Sequence, residues 1–349
     1  MRNIFTFIII SLFMLTENSW CQQQDYPPED ITRVGTTAAA FLKIPVGARS
    51  IALSGAYTGL ADDATSLYWN PGGIARIDRI TVAVNHANLY AGIQHDFVGL
   101  VFPVGQNVFG LSFVMLNSGD MDVTTVDAPE GTGETYDVSN MAVGFTYSRQ
   151  LTDRFSVGFT GKIINEKIWR NSATNFALDV GTIFETGLLG TKIGMSIANF
   201  GPNVRMEGPD MLVNRRPDPN NPDNGYNPEV LLKAKEWAMP LTYRMGLVVD
   251  LLGGISPYMS NERNRLTAIV DADDGVDSSL RSSLGVEYEW NNMIALRMGY
   301  KLYNYDAAQF SFGGGLKLGK SSIPIVINYA FADYGDLSYI HHFYISMAF

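Results

Sequence analysis

Over most of this chain hydrophobic and polar residues alternate one by one. Near the end Phe343, Ile345, Met347 and Phe349 share one parity, and His342, Tyr344, Ser346 and Ala348 share the other. Upstream, Met141, Val143, Phe145 and Tyr147 oppose Ala142, Gly144, Thr146 and Ser148, and Leu284, Val286, Tyr288 and Trp290 oppose Ser283, Gly285, Glu287 and Glu289. Period two places such sets on opposite faces of a strand. Fourteen segments read this way: 80–89, 93–103, 107–117, 140–150, 154–167, 174–185, 190–200, 241–250, 265–273, 280–290, 293–302, 308–318, 322–332 and 340–349. Strands of about nine to eleven residues suit a tilted membrane crossing. An even count is the habit of single-chain bacterial barrels.

A soluble sandwich alternates too, and the connections separate the two. Short turns at 104–106, 152–153, 291–292 and 319–321 alternate with longer polar segments at 118–139, 201–239, 274–279, 303–307 and 333–339. That parity is the short-turn, long-loop asymmetry of outer-membrane barrels. The stretch 251–264 and the short connection at 90–92 depart from it. Tyr90, Phe102, Phe155, Trp169, Phe184, Phe200, Trp237, Trp290, Tyr303 and Phe349 fall near strand ends, where an interfacial belt is expected. The expected fold is all-β: a fourteen-stranded antiparallel transmembrane barrel over 80–349, with 201–239 as a long extracellular loop.

Residues 37–79 do not alternate. They are rich in small and apolar residues, end at Asn70-Pro71-Gly72, and need covering, so a plug inside the barrel is expected. Together with a polar tail they form an N-terminal region over 22–79, the tail being placed in the periplasm. Residues 1–21 read as a signal peptide: Arg2, an apolar run over 4–15, then Ser19 and Cys21 as the small residues of a cleavage site. An acylated Cys21 is the competing reading, ranked lower because Trp20 is too bulky for lipoprotein processing. Without Cys21 no cysteine remains, which leaves neither disulfides nor a thiol nucleophile.

The net charge is −10, and losing Arg2 and Glu17 with the signal leaves it there. No basic footprint for nucleic acid exists. The inward parity carries Lys162, Asp179, Arg281, Glu287, Glu289, Arg297, Lys301 and Lys317. Mixed signs in a confined lumen are expected to pair with each other or with Arg49, Asp62, Asp63 and Arg76 of the plug, giving a blocked or narrow interior. No metal site is expected: His341 and His342 face opposite sides, His86 and His95 flank the first hairpin without a carboxylate partner, and Asp271, Asp273, Asp274 and Asp277 set Gly275 one place early for an EF-hand. No catalytic or cofactor motif is present, so neither enzyme activity nor a cofactor is expected. The loop 201–239 holds Arg215-Arg216, then Pro217, Pro219, Pro222 and Pro228, and an apolar set including Leu231, Leu232 and Trp237. There a short helix is predicted, as a lid or a docking point for a protein partner.

The stretch 41–77 contains Gly47-Ala48-Arg49, Gly55-Ala56-Tyr57, Ala61-Asp62-Asp63-Ala64 and Tyr68-Trp69-Asn70-Pro71. In these motifs, and in the closing hairpin over 329–349, the chain resembles the PorV/PorQ family of Bacteroidetes-type outer-membrane proteins, related to the fatty-acid transporter FadL. The resemblance implies a FadL-like plugged barrel in the outer membrane of a Gram-negative cell and a part in type IX secretion, binding translocon subunits or cargo. Gly72 where the family has Ala, and Ser54 where Gly is common, leave the branch open. A FadL-like transporter of hydrophobic small molecules is the alternative. It calls for an apolar pocket and a strand kink, with Gly313-Gly314-Gly315 as the hint.

Overall fold

The computed structural model describes residues 33–214, 229–254, 256–303, 310–319 and 323–349. The segment expected to be a signal peptide and the tail up to residue 32, with Arg215, Arg216 and Pro217, Pro219, Pro222 and Pro228, lie outside the described residues. Fourteen strands form one closed antiparallel barrel: β1 Thr81–Asn88, β2 Gln94–Val104, β3 Asn107–Asn117, β4 Val138–Thr152, β5 Phe155–Ile168, β6 Asn171–Glu185, β7 Thr191–Phe200, β8 Thr242–Leu252, β9 Asn264–Gly275, β10 Arg281–Trp290, β11 Ile294–Tyr303, β12 Phe310–Leu318, β13 Ile325–Asp333 and β14 Tyr339–Ala348. Every strand pairs with its sequence neighbours. The seam closes β14 on β1, from Thr81 opposite Ala348 to Asn88 opposite His341. Closure leaves no unpaired edge, the condition for backbone in hydrocarbon.

The wall follows the alternation. Leu284 and Val286 are exposed outward while Ser283, Gly285 and Glu287 are buried inward. In a water-soluble protein this outer surface is an unpartnered apolar band, and in a bilayer it is solvated by lipid. Among the described residues no helix is long and apolar enough to cross a membrane. The β12 ladder runs unbroken against β11 and β13 through Gly313-Gly314-Gly315, so these glycines make no kink. Register shifts fall in four pairings, β4–β5, β6–β7, β8–β9 and β10–β11; in β6–β7 the register skips at Asp179 and buried Asn199 takes φ +63.

Two small hairpins stand outside the barrel, Met121–Asp122 with Thr135–Tyr136 and Leu212–Asn214 with Glu229–Leu231. The second replaces the helix predicted after residue 228. Val230 pairs opposite Val213, and Trp237 bridges to Val204, so backbone pairing across the loop outcompetes a local helix.

Inside the wall, residues 37–77 form a compact plug with only short helices: a 3₁₀ turn at Ala40–Lys43, α1 Ala48–Ala52, α2 Ser66–Trp69 and a 3₁₀ turn at Pro71–Arg76. α1 packs on β11 to β14, and Pro71–Arg76 on β3 to β6. The plug begins at the long-loop rim, where the Ala38 amide donates to the Ala238 carbonyl and Thr37 donates to Asp277 at 2.8 Å. The plug leaves at the opposite, short-turn end, from Arg76 into β1.

Candidate functional site

The plug packs tightly on the wall at Asn70-Pro71-Gly72. Asn70 is fully buried, and its amide donates to the carbonyls of Thr58 at 2.9 Å and Thr182 at 3.0 Å, while its Oδ1 accepts from the Gly72 amide at 3.1 Å. One side chain thus caps the following 3₁₀ turn and joins two plug segments to β6. The corner lies against Gly158 of β5 and Gly181 of β6, a register pair. A methyl group on Gly181 would come within 2.6 Å of the Pro71 ring, and one on Gly158 would run into the Pro71 carbonyl. Around the rest of the wall Gly194, Gly246, Gly285, Gly299 and Gly313 likewise leave room for Thr58, Gly59, Leu53 or Ala52 of the plug. These inward glycines let the two backbones meet.

Buried charge fixes the opposite side of the plug. Arg49, set in α1 just after Gly47 (φ +92) and Ala48, makes a bidentate pair with Glu287 of β10 at 2.7 Å on both branches. Arg49 also pairs with Asp62 and approaches Asp63 at 3.7 Å. Glu287 is shared with Arg297 of β11 at 2.6 Å, and Arg297 reaches Asn328 of β13 at 2.9 Å. Two guanidinium groups on one wholly buried carboxylate form a plug-to-wall clamp with excess positive charge that Asp62 offsets. Asp271 of β9 adds a second tie, accepting from the amides of Tyr57 at 3.0 Å and Thr58 at 2.6 Å. The Trp69 indole donates to the Val46 carbonyl at 2.8 Å, and Arg244 of β8 lies 5.1 Å above its ring.

The other charges predicted for the lumen serve the wall. Lys162 pairs with Asp179 at 2.6 Å and donates to Asn199 at 2.9 Å, which fills the β6–β7 bulge. Glu289 pairs with Arg265, itself held by Asp250 at 3.0 Å. Arg281 pairs with Asp273 at 2.9 Å, Arg76 of the plug with Glu185 of β6, and Lys317 reaches Asn292 at 3.4 Å. Asp250, Arg244 and Arg265 were not singled out from sequence, and Asp271 was weighed only as part of an acidic loop, although each sits on the inward parity of its strand.

Two cavities flank the plug. The larger, about 760 Å³, opens at the short-turn end between Arg49, Asp62, Arg76, Arg265, Arg297 and Tyr344. The smaller, about 110 Å³, lies at the long-loop end by Lys43, Trp69, Arg244, Asp271, Ala332 and Tyr334. The larger is lined by somewhat more polar than apolar surface and the smaller by both in about equal measure, so neither is the mainly apolar pocket called for by hydrocarbon transport. At the outer rim Lys43 and Thr37 converge on Asp277. Burial alone raises the Asp277 carboxyl, but the Lys43 ammonium and the Thr37 hydroxyl outweigh it and hold the group below the usual carboxylate range.

His86 and His95 do not approach one another. His86 faces outward and pairs with Asp96 at 2.6 Å, while His95 points inward and is fully buried. Among the described residues no group of three or more His, Cys, Asp or Glu side chains is placed to hold a metal ion. Asp271, Asp273 and Asp277 are spent on the plug amides, Arg281 and Lys43, which is not a calcium loop. Leu231, Leu232 and Trp237 are 61%, 52% and 40% exposed, an apolar tip above the barrel rim.

Residues 25–164 match the model of an uncharacterised protein family, UPF0164. No protein of curated function matches in sequence. In fold, the chain is similar to the toluene transporter TodX of Pseudomonas putida, at TM-score 0.56 and 12% identity over 87% of this chain and 97% of that one. It is also similar to a Pseudomonas aeruginosa FadL homologue, at TM-score 0.52 and 13% identity over 88% and 98% of the two chains. The CymD monoaromatic hydrocarbon channel aligns at TM-score 0.54 and 11% identity, again over 87% and 97%. The chain therefore has the FadL-type barrel fold at nearly the full length of those proteins. None of these structures is described as a secretion component.

Proposed function

We propose that this protein is an outer-membrane channel that admits small hydrophobic molecules past a seated plug. The observation that supports it most is the full-length likeness to barrels described as toluene or monoaromatic transporters. The apolar hairpin tip fits the same reading. Leu212, Leu231, Leu232 and Trp237 offer a hydrophobic solute its first contact at the long-loop rim. Neither cavity offers a mainly apolar route through the barrel, so passage requires the plug to shift, and the Arg49–Glu287–Arg297 clamp is what resists that shift. Cells lacking their own hydrocarbon channels and expressing this protein are expected to take up labelled toluene faster than cells with an empty vector. Replacing Glu287 with Ala is expected to raise that rate further. Equal uptake with and without the protein overturns the proposal.

A second reading follows from the motifs over 41–77 and the same hairpin: a non-enzymatic part in type IX secretion, with Leu231, Leu232 and Trp237 docking a translocon subunit or cargo. Under this reading, deleting 209–236 abolishes co-purification of a partner and leaves toluene uptake at the wild-type rate. The two readings thus separate in one pair of assays.

A further inference from the structure

The smaller, outer cavity is lined by a cation that no carboxylate answers. The guanidinium carbon of Arg244 lies 5.3 Å from the centre of the Tyr68 ring and 5.1 Å from that of Trp69. Arg244 forms no ion pair among the described residues, and its Nη1 is buried without a hydrogen-bond partner. The carboxylates on the same lining are engaged elsewhere. Asp273, the register partner of Arg244, pairs with Arg281 at 2.9 Å, and Asp271 accepts from the Tyr57 and Thr58 amides. A second donor stands on the plug side. Ser54 also lines the cavity, is 4% exposed, and its Oγ has no partner. Its backbone takes φ +55, a left-handed conformation that suits glycine and strains a residue with a Cβ. The next residue, Gly55, faces the Trp69 ring, so both donors adjoin the same indole.

Around these donors the lining is aromatic and fixed. The Tyr68 hydroxyl donates to the Leu42 carbonyl at 3.0 Å and the Trp69 indole to the Val46 carbonyl at 2.8 Å, so the polar ends of both rings are spent on the plug. Tyr334, Ile51 and Ala332 add further apolar surface. Lys43 and Arg281, on the same lining, each keep 30% of their side chains exposed, so solvent reaches the cavity. Its volume is about 110 Å³. A water needs roughly 10–15 Å³ on that scale, so the space takes several waters or one ring, and a lipid chain is too long for it. The guest's chemistry follows. An unanswered guanidinium and a spare hydroxyl call for an anionic acceptor. An inorganic ion would leave the apolar half of the lining wetted, whereas a flat hydrocarbon body covers it.

We infer that the outer cavity binds the anion of a small aromatic acid, of benzoate size. Arg244 and Ser54 hold the carboxylate, and the ring lies against the aromatic lining. This is a binding site above the seated plug, and it stands whether or not the barrel passes toluene.

Isothermal titration calorimetry of the purified full-length protein in detergent tests this. Benzoate is expected to bind saturably at one site. Acetate lacks the ring and benzyl alcohol the charge, and each is expected to bind about tenfold or more weakly. Decanoate, whose chain does not fit, is expected to do no better than acetate. Arg244→Met keeps bulk over the two rings and removes the charge, and is expected to weaken benzoate about tenfold or more while leaving benzyl alcohol unchanged. Ser54→Gly relieves the left-handed strain. It is expected to raise the temperature at which heat-modified gel mobility is lost, and still to weaken benzoate severalfold. The same gel shift reports whether Arg244→Met folds, and the ligand series on the wild type stands without that variant. Absence of saturable benzoate binding overturns the inference. So does a folded Arg244→Met with wild-type benzoate affinity, or a wild type that binds acetate or decanoate as tightly as benzoate. Benzoate binding without toluene uptake counts against the hydrophobic channel alone, and toluene uptake without benzoate binding counts against this site alone.

Discussion

Glu287 is the residue on which the plug's seating most depends, because it is wholly buried and serves two guanidinium groups from different parts of the fold. Removing one partner of such a set strands the others, at a cost of about 3–5 kcal/mol. Glu287→Ala is therefore expected to lower the temperature of heat-modified gel mobility and to sensitise cells to large antibiotics, while Asp62→Asn, at the half-exposed margin of the cluster, does far less. Equal effects of the two would contradict the clamp. At the outer rim, Asp277 carries a pH dependence. Its carboxyl is held below the usual carboxylate range in the folded protein. It therefore contributes stability above the unfolded value, near about 4. That contribution declines as pH falls through the lowered folded value. Hydrogen exchange of the Ala38 amide is expected to quicken under strong acid, and Asp277→Asn is expected to quicken it already at neutral pH. An acid response that persists unchanged in Asp277→Asn assigns the effect elsewhere.

Among elements, strands were the most legible in sequence and the plug the least. All fourteen strands stand where alternation put them, with ends displaced by three residues at most, as at Asn171 and Ile325. Alternation survives because each barrel strand has lipid on one face and lumen on the other, and no tertiary partner overrides it. The hairpin Leu212–Asn214 with Glu229–Leu231 shows the converse, since apolar spacing that reads as helix is settled by pairing with a distant segment. The plug's helices are too short to leave a helical period, and its fit depends on glycines of the wall, whose spacing reflects the shape of the plug. Gly181→Val is expected to unseat the Asn70-Pro71 corner, an overpacking cost of about 1–3 kcal/mol. Cross-linking a cysteine pair placed at positions 72 and 182 checks it: efficient in the wild-type background, lost with Gly181→Val. Retained cross-linking removes the steric role given to the wall glycine.

For the whole molecule, the sequence foretold mixed-sign charge in the lumen, and the structure spends most of it in local pairs. Of the lumen and plug charges expected to pair, Arg49 with Glu287 and Arg76 with Glu185 link plug and wall. Which inward charges meet depends on shear and on how the plug turns within the barrel, and neither is written in any one strand. The resulting interior is stoppered by buried contacts all round: α1 on β11 to β14, Pro71–Arg76 on β3 to β6, and Asp271 on the Tyr57 and Thr58 amides. Single-channel recording in planar bilayers tests that seal most directly. Wild-type protein inserted in a folded state is expected to pass no steady ion current, and a variant lacking residues 37–77 to open a large ohmic pore. A wide, constant conductance from the intact wild type would contradict it.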